Sequence, residues 1–432
     1  MNAALREVLD RTLLLMRDEL VDTASDELLI AALTETCVAL LADGANLVSH
    51  SAQSSYITAA LLMARSGHKV HLVAPDVPLV GPQPPLQPGG LVSSLVAVGR
   101  DLLPGIEFSV GLPYEEADLE VKFGDSASKI RAKRSFSVGA TPWSACLRAS
   151  GLGSRWTETK WPLGGIAAGA LSSVEAFKAA MQKVRPFARN AGHFDAKFAA
   201  TNAVEYELAP ASAPTPTDLG RFDFISAGAI TNAVLFALAR ILGVTGGGRL
   251  IDDDTGDLSN LNRYALLLRS MIRGPKASTL ASMNLPGLRL KSEPVRYSRE
   301  SAVTIGPLAP GVLVGVDHIP TRWEAQRAMP NWLGIGATTH WSSMASFHVD
   351  GLGCAGCLHP TDDKNDAPIP TVAFASFWAG LLLAIYFVRT AGGESLPVER
   401  QCTYLTSLRP ELPWCSPVAT RRDCPVEAHL VC

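Results

Sequence analysis

Three acidic residues in succession, Asp252, Asp253 and Asp254, close an apolar run in the stretch "LIDDDTGDLSNLNRY", residues 250–264. Asn260 and Arg263 follow in the same stretch, and Lys276 comes thirteen residues after the arginine, in "GPKAS". A carboxylate at the carboxyl end of a strand can accept hydrogen bonds from a ribose. Others beside it, such as Asp254, suit Mg2+, a hard cation that prefers oxygen ligands. Cations on each side of a polyphosphate stabilise the charge developing on a leaving pyrophosphate. A second strand end of this kind occurs in "PGVLVGVDHIPTRWEAQR", where an apolar run stops at Asp317 before a helical pattern. Upstream, Ser226-Ala227-Gly228-Ala229-Ile230-Thr231 is a small-residue turn before an apolar helix. Such a turn brings backbone N–H groups and the positive helix end, at Gly228 and Ala229, towards phosphates. Each charged residue alone suits a solvated loop or a salt bridge equally well; their joint order points to nucleotide chemistry.

The elements that must hold these residues are repeated along the chain. "SHSAQSSYITAALLMARSGHKVHLVAPD" (49–76) and "FISAGAITNAVLFALARILGVTGGGRLIDDD" (224–254) both read as strand, small-residue turn, apolar helix, glycine break and strand ending in acid. At an offset of 175, Ser51-Ala52 falls on Ser226-Ala227 and Ala64-Arg65 on Ala239-Arg240. That is a βαβ unit, the opening of a doubly wound parallel sheet. A second echo follows in the same order. "WPLGGIAAGALSSVEAFKAAM" (161–181) and "IPTVAFASFWAGLLLAIYFVR" (369–389) each put a proline before a long helix rich in small residues. The predicted organisation is therefore two related α/β domains, 1–207 and 221–432, joined by "LAPASAPTPTDLG" (208–220), whose Pro, Ala, Ser and Thr are a linker composition. The halves are unequal. The first has no glycine in its turn, and its second strand ends in a single Asp76 before "VPLVGPQPPLQPGG". One half reads as scaffold and the other as the chemical half.

Composition excludes several classes. With 432 residues the chain exceeds one ordinary core, and its formal net charge of -3 lacks the basic excess of nucleic-acid-binding proteins. The first 25 residues mix charges with leucines as an amphipathic helix does, unlike a signal peptide. Eight cysteines are too sparse for a disulfide scaffold, which points to a reducing cytoplasm. The stretch 369–388 is about long enough to span a bilayer, but its small residues suit a buried helix equally, and no membrane role is expected.

The block "LIDDDTGDLSNLNRY…GPKAS…GVDHIPTR" resembles the ubiquitin-activating-enzyme superfamily, which includes the bacterial ThiF- and MoeB-type adenylyltransferases. That family carries an acid–x–acid strand end, a Ser-Asn-Leu-x-Arg motif, a lysine thirteen residues after the arginine, and a later strand-end aspartate. The resemblance implies an α/β fold of two tandem Rossmann-like (ThiF-type) domains in pseudo-symmetric arrangement, the inactive and active domains pairing within one chain. It implies that Asp252 binds the ribose of ATP, that Asn260, Arg263 and Lys276 contact the phosphates, and that Asp317 helps place Mg2+-ATP. It also implies a basic residue supplied across the pseudo-dimer from an Arg-Gln motif. Here "LDRTLLLMRDEL" offers Arg11, with Thr12 in place of the glutamine, and Arg11 reads equally as a plain surface residue. The family's Gly-x-Gly-Gly-x-Gly turn is reduced to Ser226–Thr231, which puts side chains where phosphates approach.

Cys354 and Cys357 in "GLGCAGCLHP" stand at metal-ligand spacing. In bacterial relatives, two such pairs close a structural zinc site. The resemblance therefore offers Cys415 and Cys424 as further ligands, with Glu427 where the last cysteine would sit. Relatives that form thioesters carry a cysteine in the loop that here reads "HPTDDKNDAPIP", and this loop has none. A thioester would need one of the Cys354/Cys357 pair or Cys402, Cys415, Cys424 or Cys432. Each of these also reads as a small buried apolar residue. The expected function is ATP-dependent adenylation of the C-terminal carboxylate of a ubiquitin-like protein, followed by a thioester and transfer to a conjugating enzyme. The alternatives are a sulfur-carrier or peptide adenylyltransferase without a thioester, and a non-catalytic scaffold.

Overall fold

The apolar run "CVALLA" forms the central strand β1, Cys37–Ala42, buried along most of its length. Strands buried on both faces read as continuous apolar runs, the mark of a parallel sheet covered by helices. The structure is a computed structural model that describes residues 3–124, 126–150, 156–157, 159–362, 368–409 and 413–426. The first sheet adds β2 (Lys69–Val73), β3 (Phe108–Val110), β4 (Leu119–Phe123), β5 (Ser135–Thr141), β6 (Ser144–Ala149) and β7 (Ala203–Glu207) in the order β3-β2-β1-β4-β5-β6-β7. The first five in that order run parallel; β6 and β7 are antiparallel.

The second sheet contains β8 (Asp218–Ile225), β9 (Thr245–Ile251), β10 (Leu288–Glu293), β11 (Gly311–Val314), β12 (Trp332–Thr339), β13 (Ser342–His348), β14 (Cys402–Thr406) and β15 (Trp414–Ser416). Its order is β10-β9-β8-β11-β12-β13-β14-β15, with β13 to β15 antiparallel. Strand for strand, β8 to β14 repeat the topology of β1 to β7. The chain is thus two α/β domains of one plan. The antiparallel strands at the far edge of each sheet are a departure from the doubly wound parallel sheet expected. Strand β8 also begins at Asp218, inside the stretch expected as linker, and Leu208 and Ala209 are buried.

Each half builds a helix pair against its sheet. Ser49 caps the helix His50–Arg65 by accepting from the Ala52 amide at 3.1 Å, and this helix packs on Leu163–Lys183. In the second half, Ala229–Leu238 packs on Ala373–Ala391. Glycines set the approach, Gly165 and Gly169 in the first pair and Gly380 in the second. A Cβ on Gly169 would lie 2.3 Å from the Ser55 carbonyl, and one on Gly380 would lie 2.5 Å from Ala233 Cβ and from the Ile230 carbonyl. The pairs meet across the interface through Phe177–Phe374, with centroids at 5.5 Å, and Tyr206–Trp378, at 5.4 Å. A single apolar core therefore runs through both halves. The bilayer-length stretch is the helix Ala373–Ala391. Its most apolar window is 94% buried, and Phe387 and Phe377 stack on Phe222 and Phe236.

Candidate active site

The carboxyl ends of β8, β9 and β11 open onto a cleft of about 580 Å3. Nine residues expected from the sequence line it: Arg11, Gly228, Ala229, Asp252, Asp254, Asn260, Arg263, Lys276 and Asp317. They come from five separate stretches of chain and from both halves.

Asp252 follows the last residue of β9. Its Oδ2 accepts from the Ala227 amide at 2.6 Å and its Oδ1 from the Asp254 amide at 2.8 Å. These bonds tie the acidic strand end to the turn before the helix Ala229–Leu238. Burial raises the Asp252 carboxyl above its ordinary value, while those amides and Lys276 pull it back. The ligand oxygens of Asp252, Asp253 and Asp254 lie within 4.8 Å of one another. Asp317, beyond β11, borders the same acidic recess. Oxygen donors so grouped match the preference of a hard divalent cation.

The cations Lys276, Arg263 and Arg11 line the same cleft. Lys276 is mostly buried and pairs with Asp254 at 2.8 Å. Burial lowers its amine, but Tyr264 and Asp254 outweigh that and leave it raised, so it stays charged. Arg263 is lowered by burial, and its Nη1 donates to the Ser259 carbonyl and to Asn262 Oδ1. Asn260 Oδ1 accepts from the Asp257 amide at 3.0 Å while Asp257 accepts from Ser259, a capping box that opens the short turn Leu258–Asn260.

Arg11 lies on the helix Asp10–Leu20 of the first half, so the basic residue expected from across the pseudo-dimer does reach the cleft. The adjacent Thr12 accepts from Asn262 Nδ2 at 3.3 Å and donates to the Thr371 carbonyl. The side chains in this turn have a visible consequence. Ser226 holds φ at 121°, a region that favours glycine. Its hydroxyl accepts from the Gly228 amide at 2.8 Å, occupying one of the donors at the helix start.

Among the lining residues not singled out from the sequence are Tyr264, Arg322 and His359. Tyr264 is buried, with the Lys276 amine 5.8 Å from its ring centroid. Arg322 Nε and Nη2 donate to the Val316 carbonyl, and its Nη1 donates to His359 Nε2 at 2.8 Å. Burial, then the Arg322 charge, pushes His359 down to about 3, so it is a neutral ring carrying its proton on Nδ1. Arg322 stands in the quoted "HIPTR" segment one helical turn and more past Asp317. That spacing on the helix Ile319–Arg327 was the available signal.

Cys354, Cys357 and Cys424 gather as a buried group, Cys354 Sγ lying 3.7 Å from Cys357 Sγ and 3.3 Å from Cys424 Sγ. Gly356 leaves room for it, because a Cβ there would lie 2.8 Å from Cys424 Sγ. Burial, with Cys424 beside it, pushes Cys354 up to about 12. Three thiols at this separation fit a zinc ion, which would take the place of their protons. Cys415 is a correction to the expected ligand set. It faces Thr403 across β14 and β15, 3.2 Å from that hydroxyl, because the antiparallel register directs it there. Glu427, Cys432 and residues 363–367 of the loop "HPTDDKNDAPIP" lie outside the described residues.

Fold and cleft together define a two-domain α/β protein with carboxylates and cations facing each other at the carboxyl edge of its second sheet. No family model matches the chain. An uncharacterised protein of Sinorhizobium fredii (strain NBRC 101917 / NGR234), y4jF, is 30% identical over 154 residues, covering 35% of this chain and only 30% of that protein's length. Among solved structures, the chain is similar to E. coli MccB with MccA at 18% identity and a TM-score of 0.39, covering 48% of this chain and 66% of that one. MccB with AMPCPP and MccA gives 15% and 0.40, covering 60% and 74%. PaaA gives 14% and 0.36, covering 46% and 64%. At these scores the chemistry has to rest on the cleft's own residues.

Proposed function

We propose that the chain is an ATP-dependent adenylyltransferase that activates the C-terminal carboxylate of a small protein or peptide. The observation that carries this is the convergence of Asp252, Asn260, Arg263, Lys276 and Asp317, with Arg11 from the other half, on one cleft. In this reading 221–432 is the active domain and 1–207 an inactive one that completes it. Asp252 has lone pairs left after its two amide bonds, and these accept from the ribose. Lys276, Arg263 and Arg11, which line the same cleft, hold the phosphates. Asp317, with the acids after β9, holds Mg2+, which neutralises phosphate charge when bound. The acceptor carboxylate attacks the α-phosphorus, the bond to the bridging oxygen breaks, and pyrophosphate leaves. Positioning and charge stabilisation account for the rate.

The substrate class follows the family resemblance: a ubiquitin-like or sulfur-carrier protein, or a peptide. The solved relative MccB, crystallised with MccA and with AMPCPP, is in keeping with it. The thiols favour the form without a thioester, since Cys354, Cys357, Cys402 and Cys424 are all buried. The thioester form, with a conjugating enzyme as partner, rests on Cys415. It is half-buried and one residue past Trp414, which stacks on the cleft-lining Tyr404 at 5.1 Å. Eight cysteines in 432 residues are too sparse for a disulfide scaffold and suit a reducing cytoplasm, and Zn2+ on Cys354, Cys357 and Cys424 would clip the 354–358 turn to the segment near 424. The test is ATP–pyrophosphate exchange driven by small proteins encoded beside this one. Exchange lost in Lys276→Ala supports the reading. Failure of the purified protein to bind Mg-ATP would leave the scaffold alternative standing.

A further inference from the structure

Arg65 and Arg240 occupy equivalent places in the two repeats, and both are fully buried. Among the described residues neither pairs with a carboxylate. Burying a charge is costly unless hydrogen bonds replace its water, so their partners are informative. Arg65, at the end of the helix His50–Arg65, reaches into the other half. Its Nη1 donates to the Leu261 carbonyl at 2.5 Å, and its Nη2 donates to Leu267 at 2.7 Å and Ala265 at 3.3 Å. Arg240 reaches back, its Nη2 donating to the Pro84 carbonyl at 2.6 Å, with its guanidinium 3.3 Å from the centroid of the Phe236 ring. Pro84 lies in the loop after β2, and Leu261 in the loop after β9. Each half thus sends one arginine into the equivalent loop of the other.

The exchange is reciprocal in geometry and unequal in consequence. The loop that Arg65 holds carries Asn260 and Arg263, the latter set between the Leu261 and Ala265 carbonyls. The loop that Arg240 holds carries no cleft residue. The first half adds further contacts to the same segment: Asn262 Nδ2 donates to Thr12 at 3.3 Å, the Arg269 amide to the Asp101 carbonyl at 2.7 Å, and Arg269 Nη2 to the Arg100 carbonyl at 3.0 Å. From the second half, Asn232 accepts from the Leu266 amide only at 3.4 Å. A planar guanidinium with five donors can serve three carbonyls at once, which an ammonium on a flexible stem does less well.

We propose that Arg65 is a positioning residue for the nucleotide cleft: by holding the carbonyls of Leu261, Ala265 and Leu267 across the interface, it fixes the backbone that aims Asn260 and Arg263. The first half, beyond supplying Arg11, thus also shapes the loop that carries Asn260 and Arg263. This rests on the adenylyltransferase reading for its consequence, and on the loop geometry alone for its mechanism.

Arg240 is the internal control, because its removal should damage packing without touching the cleft. The experiment compares the full chain with Arg65→Met, Arg65→Lys and Arg240→Met. It reads thermal unfolding, amide hydrogen exchange of peptides covering 258–268 and 79–86, and Mg-ATP affinity by calorimetry. With Arg65→Met, exchange in 258–268 should rise at least about tenfold, and Mg-ATP binding should weaken by on the order of 10- to 100-fold. Arg65→Lys should fall between, and serves in its place if the methionine variant does not fold. Arg240→Met should loosen 79–86 and lower Tm comparably, yet bind Mg-ATP within about twofold of the parent. Unchanged exchange in 258–268 for both Arg65 variants overturns the proposal, as does equal loss of ATP affinity in Arg240→Met. If the parent chain binds no Mg-ATP, the functional reading fails, and the exchange comparison still decides whether Arg65 holds the loop.

Discussion

Asp317 and Asp76 separate the two halves at the scale of one side chain. Asp76 accepts from the Val92 and Ser93 amides at 2.8 and 3.1 Å, so its carboxylate serves as a cap for the helix Leu91–Gly99. Asp76→Ala should cost about 1 kcal/mol of stability and leave pyrophosphate exchange near the parent rate. Asp317→Ala should lower that rate by on the order of 10²-fold or more, the scale of losing one charge-stabilising group. Comparable losses in the two would reverse the assignment of halves. Asp252 supplies a pH dependence. Its folded pKa is raised, so its contribution to stability is full below the unfolded value, near pH 4, and is lost as pH rises through the folded one. Nucleotide binding runs the other way, because the carboxylate is the better acceptor. Mg-ATP affinity should fall as pH drops through that raised value, and Asp252→Asn should flatten this limb of a calorimetric pH series while weakening binding throughout. These residues were legible in the sequence because acids at strand ends and cations at fixed spacing leave a linear trace. Arg322 and His359 were not, since their meeting depends on a turn 37 residues away.

Single elements carry the next level. Ser226→Gly is expected to relieve strain at φ 121° worth about 1–3 kcal/mol, offset by the lost bond to the Gly228 amide. A net gain or no change in denaturant midpoint is expected, with tighter Mg-ATP binding; a clear loss of stability would show that the hydroxyl outweighs the strain. Gly380→Val should be harsher than an ordinary small-to-large change, beyond about 1–3 kcal/mol, because the contacted atoms include the Ile230 backbone. Circular dichroism melts would show this, and a variant melting like the parent would refute the close approach of the two helices. The repeat, the helix–glycine pattern and the parallel strands could all be read in advance, since each is written in local periodicity. The antiparallel edge strands could not be. The direction of β6 and β13 follows from two-residue turns, Pro142–Trp143 and His340–Trp341, too short for the crossover that a parallel pair needs, but neither turn carries the Asn-Gly or Asp-Gly signal of a tight hairpin. Cys415 was misplaced for the same reason: strand register, invisible in spacing, turns it to Thr403.

At the scale of the whole molecule, two sheets of one plan share one large apolar core, and the cleft that gathers the carboxylates and cations lies at the carboxyl edge of the second. Pairing in this way brings Arg11 of the first half to the cleft and Arg65 to the loop beside it. The fate of an acyl-adenylate formed here then depends on which thiols can reach it. A thiolate is the nucleophile, and burial pushes Cys402 up to about 11 and Cys354 up to about 12. Both should therefore be poor acceptors at neutral pH. Cys415, half-buried beside Thr403, is the described thiol of the second half best placed to act. The decisive measurement incubates enzyme, ATP, Mg2+ and the cognate small protein, then compares gels run with and without reductant. The expected result is adenylate accumulation with no reductant-sensitive adduct, which fits the plain adenylyltransferase. An adduct abolished by Cys415→Ala, and retained in a Cys354→Ser Cys357→Ser double variant, would instead establish the thioester route and name its carrier. The double variant carries its own expectation. Elemental analysis should show about one zinc per parent chain and none in the variant, with earlier melting. A zinc-free parent that melts like the double variant would return those two cysteines to the list of acyl carriers.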